Sequence, residues 1–283
     1  MLENNIDTIE INAEEQRPAL GIAKAIGLMV VFFIAHGIAT KIASIFGIEA
    51  GSGSSILVGV TLSFFLILWL SVVWGGGCIR ESGLFKSIPL WLAVALVVSS
   101  FGAAVLVTEL GLRLPLPARL FSESASSGTL PFIFGSVVVV PFFEEVFFRG
   151  QILNNFRARY STRKAIWASA ILFSAFHLSN PLSAAFALPF GAAFAWLAIR
   201  TGTIVPGLFS HAVLNLSSIV LIPRIAQTLG YSEEALWAWN QLPFNLVVVG
   251  AVGLTVGLSG IIWGFRSNQF VIESRALSGE KTT

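Results

Sequence analysis

The chain has 283 residues, of which 55% are hydrophobic and 11% charged, and its mean hydropathy is +0.82. Soluble domains carry about 25% charged residues, so the composition excludes an ordinary water-soluble enzyme and indicates an all-α, polytopic integral membrane protein. The net charge of +2, with basic residues at helix ends, argues against a nucleic-acid partner, and the single cysteine, Cys78, excludes an intramolecular disulfide and a cysteine-built metal site.

Residues 1–19 are polar and mostly acidic, with Glu3, Asp7, Glu10, Glu14 and Glu15 against Arg17. They lack the basic start and small-residue cleavage site of a secretory signal, and read as a cytoplasmic arm outside the membrane. A spanning helix needs roughly 20 mainly apolar residues. Eight stretches qualify: about 20–46, 56–78, 88–111, 129–153, 164–179, 183–200, 203–222 and 242–265. The fifth is short and meets the sixth at Ser179-Asn180-Pro181, a turn signal. Residues 112–128 form the longest polar connection. Residues 223–241 hold Pro223, Arg224, Glu233 and Glu234 and read as an interfacial segment, with Trp237 and Trp239 at headgroup level. The division is thus a tail at 1–19, a transmembrane domain at 20–265 and a cytoplasmic tail at 266–283. With the N-terminus in the cytoplasm, Lys and Arg in the loops, tails and helix ends number twelve inside and three outside, leaving out Lys41 and Arg149 within helices. The positive-inside rule therefore predicts both termini in the cytoplasm, in a plasma or inner membrane. The run Arg157–Lys164 reads as a solvated loop at the lipid headgroups.

Ionisable groups inside an apolar helix cost several kcal/mol on insertion scales, so the fourth stretch stands out. Glu144, Glu145 and Arg149 interrupt a run that is otherwise apolar from Pro131 to Phe148. Glu145 and Arg149 are four apart and share a helix face, as an ion pair would. Glu144 points about 100° away. One carboxylate has a partner in its own helix, and the other is left for work elsewhere. Two of the three histidines accompany further polar groups: His177 closes the fifth stretch, and His211 lies four residues before Asn215 in the seventh. His36, beside Gly37, reads as a hydrogen-bonded core histidine.

A glutamate and a histidine activate water as general bases, and a histidine with an asparagine amide can donate to a developing oxyanion. Those four groups suffice for peptide hydrolysis. Alternatively, Glu144, His177 and His211 form a donor set for zinc with an open water position. Other protease designs fit less well. The only aspartate, Asp7, lies in the tail, which excludes an aspartyl dyad and a Ser-His-Asp triad. Gly257-Leu258-Ser259-Gly260 has the G-x-S-G of rhomboid serine proteases, but no histidine follows it. Small residues in membrane helices serve packing, which is the expectation for Ser259.

Glu144-Glu145-x-x-x-Arg149, Phe173-x-x-x-His177 and His211-x-x-x-Asn215, in that order on successive helices, resemble the CAAX prenyl protease and bacteriocin-processing (Abi) family of intramembrane endopeptidases. Phe148-Arg149-Gly150 and the run from Thr201 to Pro206 add to the likeness, which covers about residues 131–216. The resemblance implies a helical membrane core in which Glu144 and His177 activate water. It implies His211 and Asn215 as the oxyanion-stabilising pair, with Glu145, Arg149 and Phe173 in support. It further implies a peptide or protein substrate, lipidated in one branch of the family, met within membrane lipid. No cofactor is expected, with zinc as the alternative. The competing functions are a non-catalytic immunity or scaffold protein that retains the site, and a transporter gated by the Glu-Arg pair. Transporters often show paired broken helices in matching halves, and no such match is evident.

Overall fold

The computed structural model describes residues 21–49, 51–74, 83–84, 86–114, 129–232 and 241–278, with side chains in the last helix described to residue 267. Cys78, the acidic arm, Trp237, Trp239 and most of the 112–128 connection lie outside the described residues. Within them the chain is all helix, in eight elements. They are α1 (Ile22–Ile45), α2 (Gly53–Val73), α3 (Leu90–Arg113), α4 (Leu130–Arg157), α5 (Thr162–Phe176), α6 (Pro181–Thr201), α7 (Val205–Thr228) and α8 (Phe244–Ser278). Seven are long and apolar enough to cross a membrane. The protein is an all-α polytopic membrane protein, as its composition requires.

The exception is α5, which has 15 residues. At 1.5 Å per residue it is about 22 Å long, short of a hydrocarbon core of about 30 Å. It ends at His177 because the next helix starts at once. The Asn180 side chain accepts from the Leu182 and Ser183 N–H groups, both at 3.1 Å, and Pro181 occupies the first turn of α6. A helix that starts at the basic residues Arg163 and Lys164 and stops after 15 residues sets a histidine at depth.

The ends of the bundle are tied in two groups. Lys24 Nζ at the start of α1 donates to the Trp74 carbonyl after α2 (3.2 Å), and the Arg159 guanidinium lies against Gly21. Thr203 Oγ1 after α6 donates to the Gly83 carbonyl (2.6 Å), and Arg200 stacks 5.3 Å from the ring of Phe265 in α8. At the opposite end, buried Glu109 of α3 pairs with Arg113 and accepts the Leu242 N–H that leads into α8 (2.6 Å). The described residues of the segments counted as cytoplasmic from their charge therefore gather at one end. Apolar length ends α7 at 222 and assigns Arg224 to an interfacial segment, but the helix runs on to Thr228. It passes Pro223 through a π-helical turn at Ser217–Leu221.

α3 and α8 run antiparallel on glycines. Added Cβ atoms at Gly250 and Gly257 would stand 2.6 Å from Val105 and 2.5 Å from the Ser99 backbone. Gly257 thus serves packing, while Ser259 faces outward.

Candidate active site

α4 carries the carboxylates and is not a plain α-helix. It turns π-helical at Gly135–Val139, returns to α at Val140–Glu145, and is π-helical again at Val146–Leu153. The first wide turn accompanies Pro141, which has no N–H to donate and whose ring crowds the preceding turn. The second carries Arg149. Such π turns are common where function has shaped a helix. Side chains hold this one in place: Ser169 Oγ of α5 donates to the Phe148 carbonyl (3.2 Å), and Asn154 and Asn155 donate to the carbonyls four residues before them. Gln151 binds Ser71 of α2.

Glu144, Glu145 and Arg149 are all buried, at 3%, 0% and 1% exposure, so their charges must be met by protein groups. Arg149 Nη1 donates to Glu145 Oε1 at 2.8 Å, which is the pair expected from the i, i+4 spacing. Arg149 Nη2 reaches the Gly191 carbonyl of α6 at 3.3 Å. The guanidinium lies 4.2 Å from the centre of the Phe173 ring, a cation–π contact. Phe173 has a second role, because its carbonyl accepts from His177 Nδ1 at 2.9 Å. A carbonyl only accepts, so this bond puts the proton on Nδ1 and leaves the Nε2 lone pair free in the neutral ring.

His177 Nε2 stands 3.8 Å from Glu144 Oε1, and His211 Nε2 stands 3.8 Å from Glu144 Oε2. Both separations exceed a direct hydrogen bond and suit a bridging water. The His177 side chain is 25% exposed, against 10% for His211, so the Glu144–His177 edge is the open one. The other ring nitrogen of His211, Nδ1, is 3.4 Å from Glu145 Oε1. Glu145 is therefore not reserved for Arg149 alone, and His211 sits between both carboxylates. Asn215, one turn beyond His211, donates its amide to the Ser136 carbonyl of α4 at 2.7 Å. The sequence-derived residues of three helices, α4, α5 and α7, thus meet at one place. His36 does not join them. It stacks on Phe32 and lies against Gly59 in the α1–α2 seam, and its buried Nδ1 has no hydrogen-bond partner among the described residues, contrary to the hydrogen-bonded core histidine expected from the sequence.

Three contributors carry no signal in the short motifs: the carbonyls of Ser136 and Gly191, and Gly207. A Cβ on Gly207 would stand 2.7 Å from Glu145 Oε2 and 3.2 Å from Phe194 Cβ. Gly207 lies four residues before His211, which marks the face it shares. Among the described residues, no group of three or more His, Cys, Asp or Glu side chains is arranged to hold a metal ion. The chemistry proposed for the site is therefore assigned to side chains and passes through no metal.

Residues 126–217 match the family model described as type II CAAX prenyl endopeptidase, Rce1-like. The match runs from just before α4 into α7 and contains every residue of the site named above except those of α2. It covers about a third of the chain. The family resemblance of the motifs is thereby borne out for that stretch, and it points to a protease acting on peptide or protein in the membrane. No curated protein matches the chain.

Proposed function

We propose that the protein is an intramembrane endopeptidase that hydrolyses peptide bonds of membrane-associated or lipidated substrates, in the manner of CAAX processing, with water activated by Glu144 and His177. The observation that carries this reading is the pair of acceptors at the open edge. Glu144 Oε1 and the unprotonated Nε2 of His177 lie 3.8 Å apart and face each other. A water to one side of the line joining them, at hydrogen-bond distance from both, would donate one hydrogen to each. Glu144 takes a proton as the water oxygen attacks the scissile carbonyl carbon, and the carbonyl oxygen becomes an oxyanion. We assign the second N–H of Asn215 and a ring N–H of His211 as its donors, on the strength of their place beside Ser136 O and Glu144. Glu144 then returns its proton to the amine nitrogen as the C–N bond breaks, so the carboxylate is regenerated. Arg149 and Glu145 hold the charge and shape of the site rather than touching substrate.

Membrane-peptide proteomics on cells carrying the parent or Glu144→Gln tests the function. Peptides whose new C-termini require the parent, and vanish with Glu144→Gln, are expected. Identical peptide sets, with both proteins expressed and folded, would leave a non-catalytic scaffold as the better account.

A further inference from the structure

Asn215 finds an acceptor in α4 because of a proline three residues before Glu144. In an α-helix the Ser136 carbonyl accepts from the N–H four residues on, at Val140. Here the turn is π-helical, and the Val140 N–H goes to Gly135 O instead. In the π register the partner of Ser136 O would be residue 141, and that residue is proline, which has no N–H. The Ser136 carbonyl loses both backbone partners inside a membrane-spanning helix, where lipid offers no donor to replace them. The Asn215 amide fills the vacancy at 2.7 Å. The same backbone pattern recurs in α7, where the Ile222 N–H reaches back to Ser217 O immediately before Pro223. In these two turns the wide register and the proline just past it go together, whereas the π segment Val146–Leu153 has no proline after it.

We infer that Pro141 is a positioning residue of the site. By denying Ser136 O a backbone donor, it creates the acceptor that fixes the Asn215 side chain and ties α7 to α4 beside Glu144. With one amide hydrogen bound to Ser136 O, the Asn215 oxygen and nitrogen cannot exchange places, and the second hydrogen is left for the substrate carbonyl. The tie stands on geometry alone. Its catalytic consequence rests on the function proposed above.

A double-mutant cycle tests both. Pro141→Ala restores an N–H at residue 141, as does Pro141→Leu, which retains more of the buried apolar bulk. Either gives Ser136 O a backbone partner. In the parent, Asn215→Ala is expected to lower the melting temperature of the purified protein by about 2–4 °C. In either Pro141 background it is expected to lower it by less than a degree. Costs unrelated to the tie, such as lost volume at residue 141, cancel in the cycle. An equal loss in all backgrounds would overturn the tie. On a quenched fluorescent peptide with a prenylated cysteine near its C-terminus, Pro141→Ala is expected to lower kcat about 10- to 100-fold with little change in KM. Adding Asn215→Ala should lower it no further. Unchanged kcat in Pro141→Ala, with kcat lowered in Asn215→Ala, would overturn the positioning role. If the parent cleaves nothing, the proposed function fails while the melting cycle still decides the tie.

Discussion

The two adjacent glutamates differ in what they touch, and their variants should differ accordingly. Glu144 faces two imidazoles across 3.8 Å gaps, and Glu145 is locked against Arg149, His211 and Gly207. Glu145→Gln removes half of a fully buried ion pair, a change that costs about 3–5 kcal/mol when the remaining charge stays buried. It should therefore lower yield and melting temperature before it lowers turnover of the folded fraction. Folded, inactive Glu145→Gln beside unstable Glu144→Gln would mean that the roles are reversed. Gly207→Ala should act like a milder Glu145 lesion, because its methyl would stand 2.7 Å from Glu145 Oε2. Overpacking of this kind costs about 1–3 kcal/mol, measurable in a melting curve. An unchanged melting temperature would show that the carboxylate moves aside freely.

Among the helices, what could be read from the sequence was whatever side-chain identity and spacing encode. The i, i+4 spacing of Glu145 and Arg149, and of His211 and Asn215, leads directly to shared faces. What spacing could not give is the change of helix type within α4 and α7, because a π turn is decided by the balance of backbone hydrogen bonds, and only two of the three π segments are marked by a proline just past them. The end of α5 at His177 was blurred for a related reason: apolar residues continue past it, and only the Asn180-Pro181 start of α6 stops the helix. The Glu109–Arg113 pair of α3 repeats the spacing of Glu145 and Arg149, and is as legible in the sequence. The α3–α8 seam makes a separate prediction about the G-x-S-G sequence. Gly257→Val would drive a side chain into the Ser99 backbone and should lower thermal stability, whereas Ser259→Ala, on the outward face, should change neither stability nor turnover. Loss of activity in Ser259→Ala would revive a serine nucleophile.

For the molecule as a whole, the grouping of Lys24, Arg159, Arg200 and Gly83 at one end agrees with an even number of crossings, α5 included. Reporter fusions are expected to place both termini in the cytoplasm, and an external C-terminus would contradict the crossing count. Hydrolysis by the purified protein is expected to survive a chelator, since the chemistry is assigned to side chains alone. Stoichiometric zinc, with activity lost on chelation and restored by zinc, would contradict that assignment. The most direct test is cleavage of the prenylated quenched peptide by purified Glu144→Gln in parallel with the parent, each with its melting curve. The amide cannot accept a proton from water. The expected result is a folded variant with no detectable cleavage and an active parent. Cleavage by Glu144→Gln at the parent's rate would contradict the account.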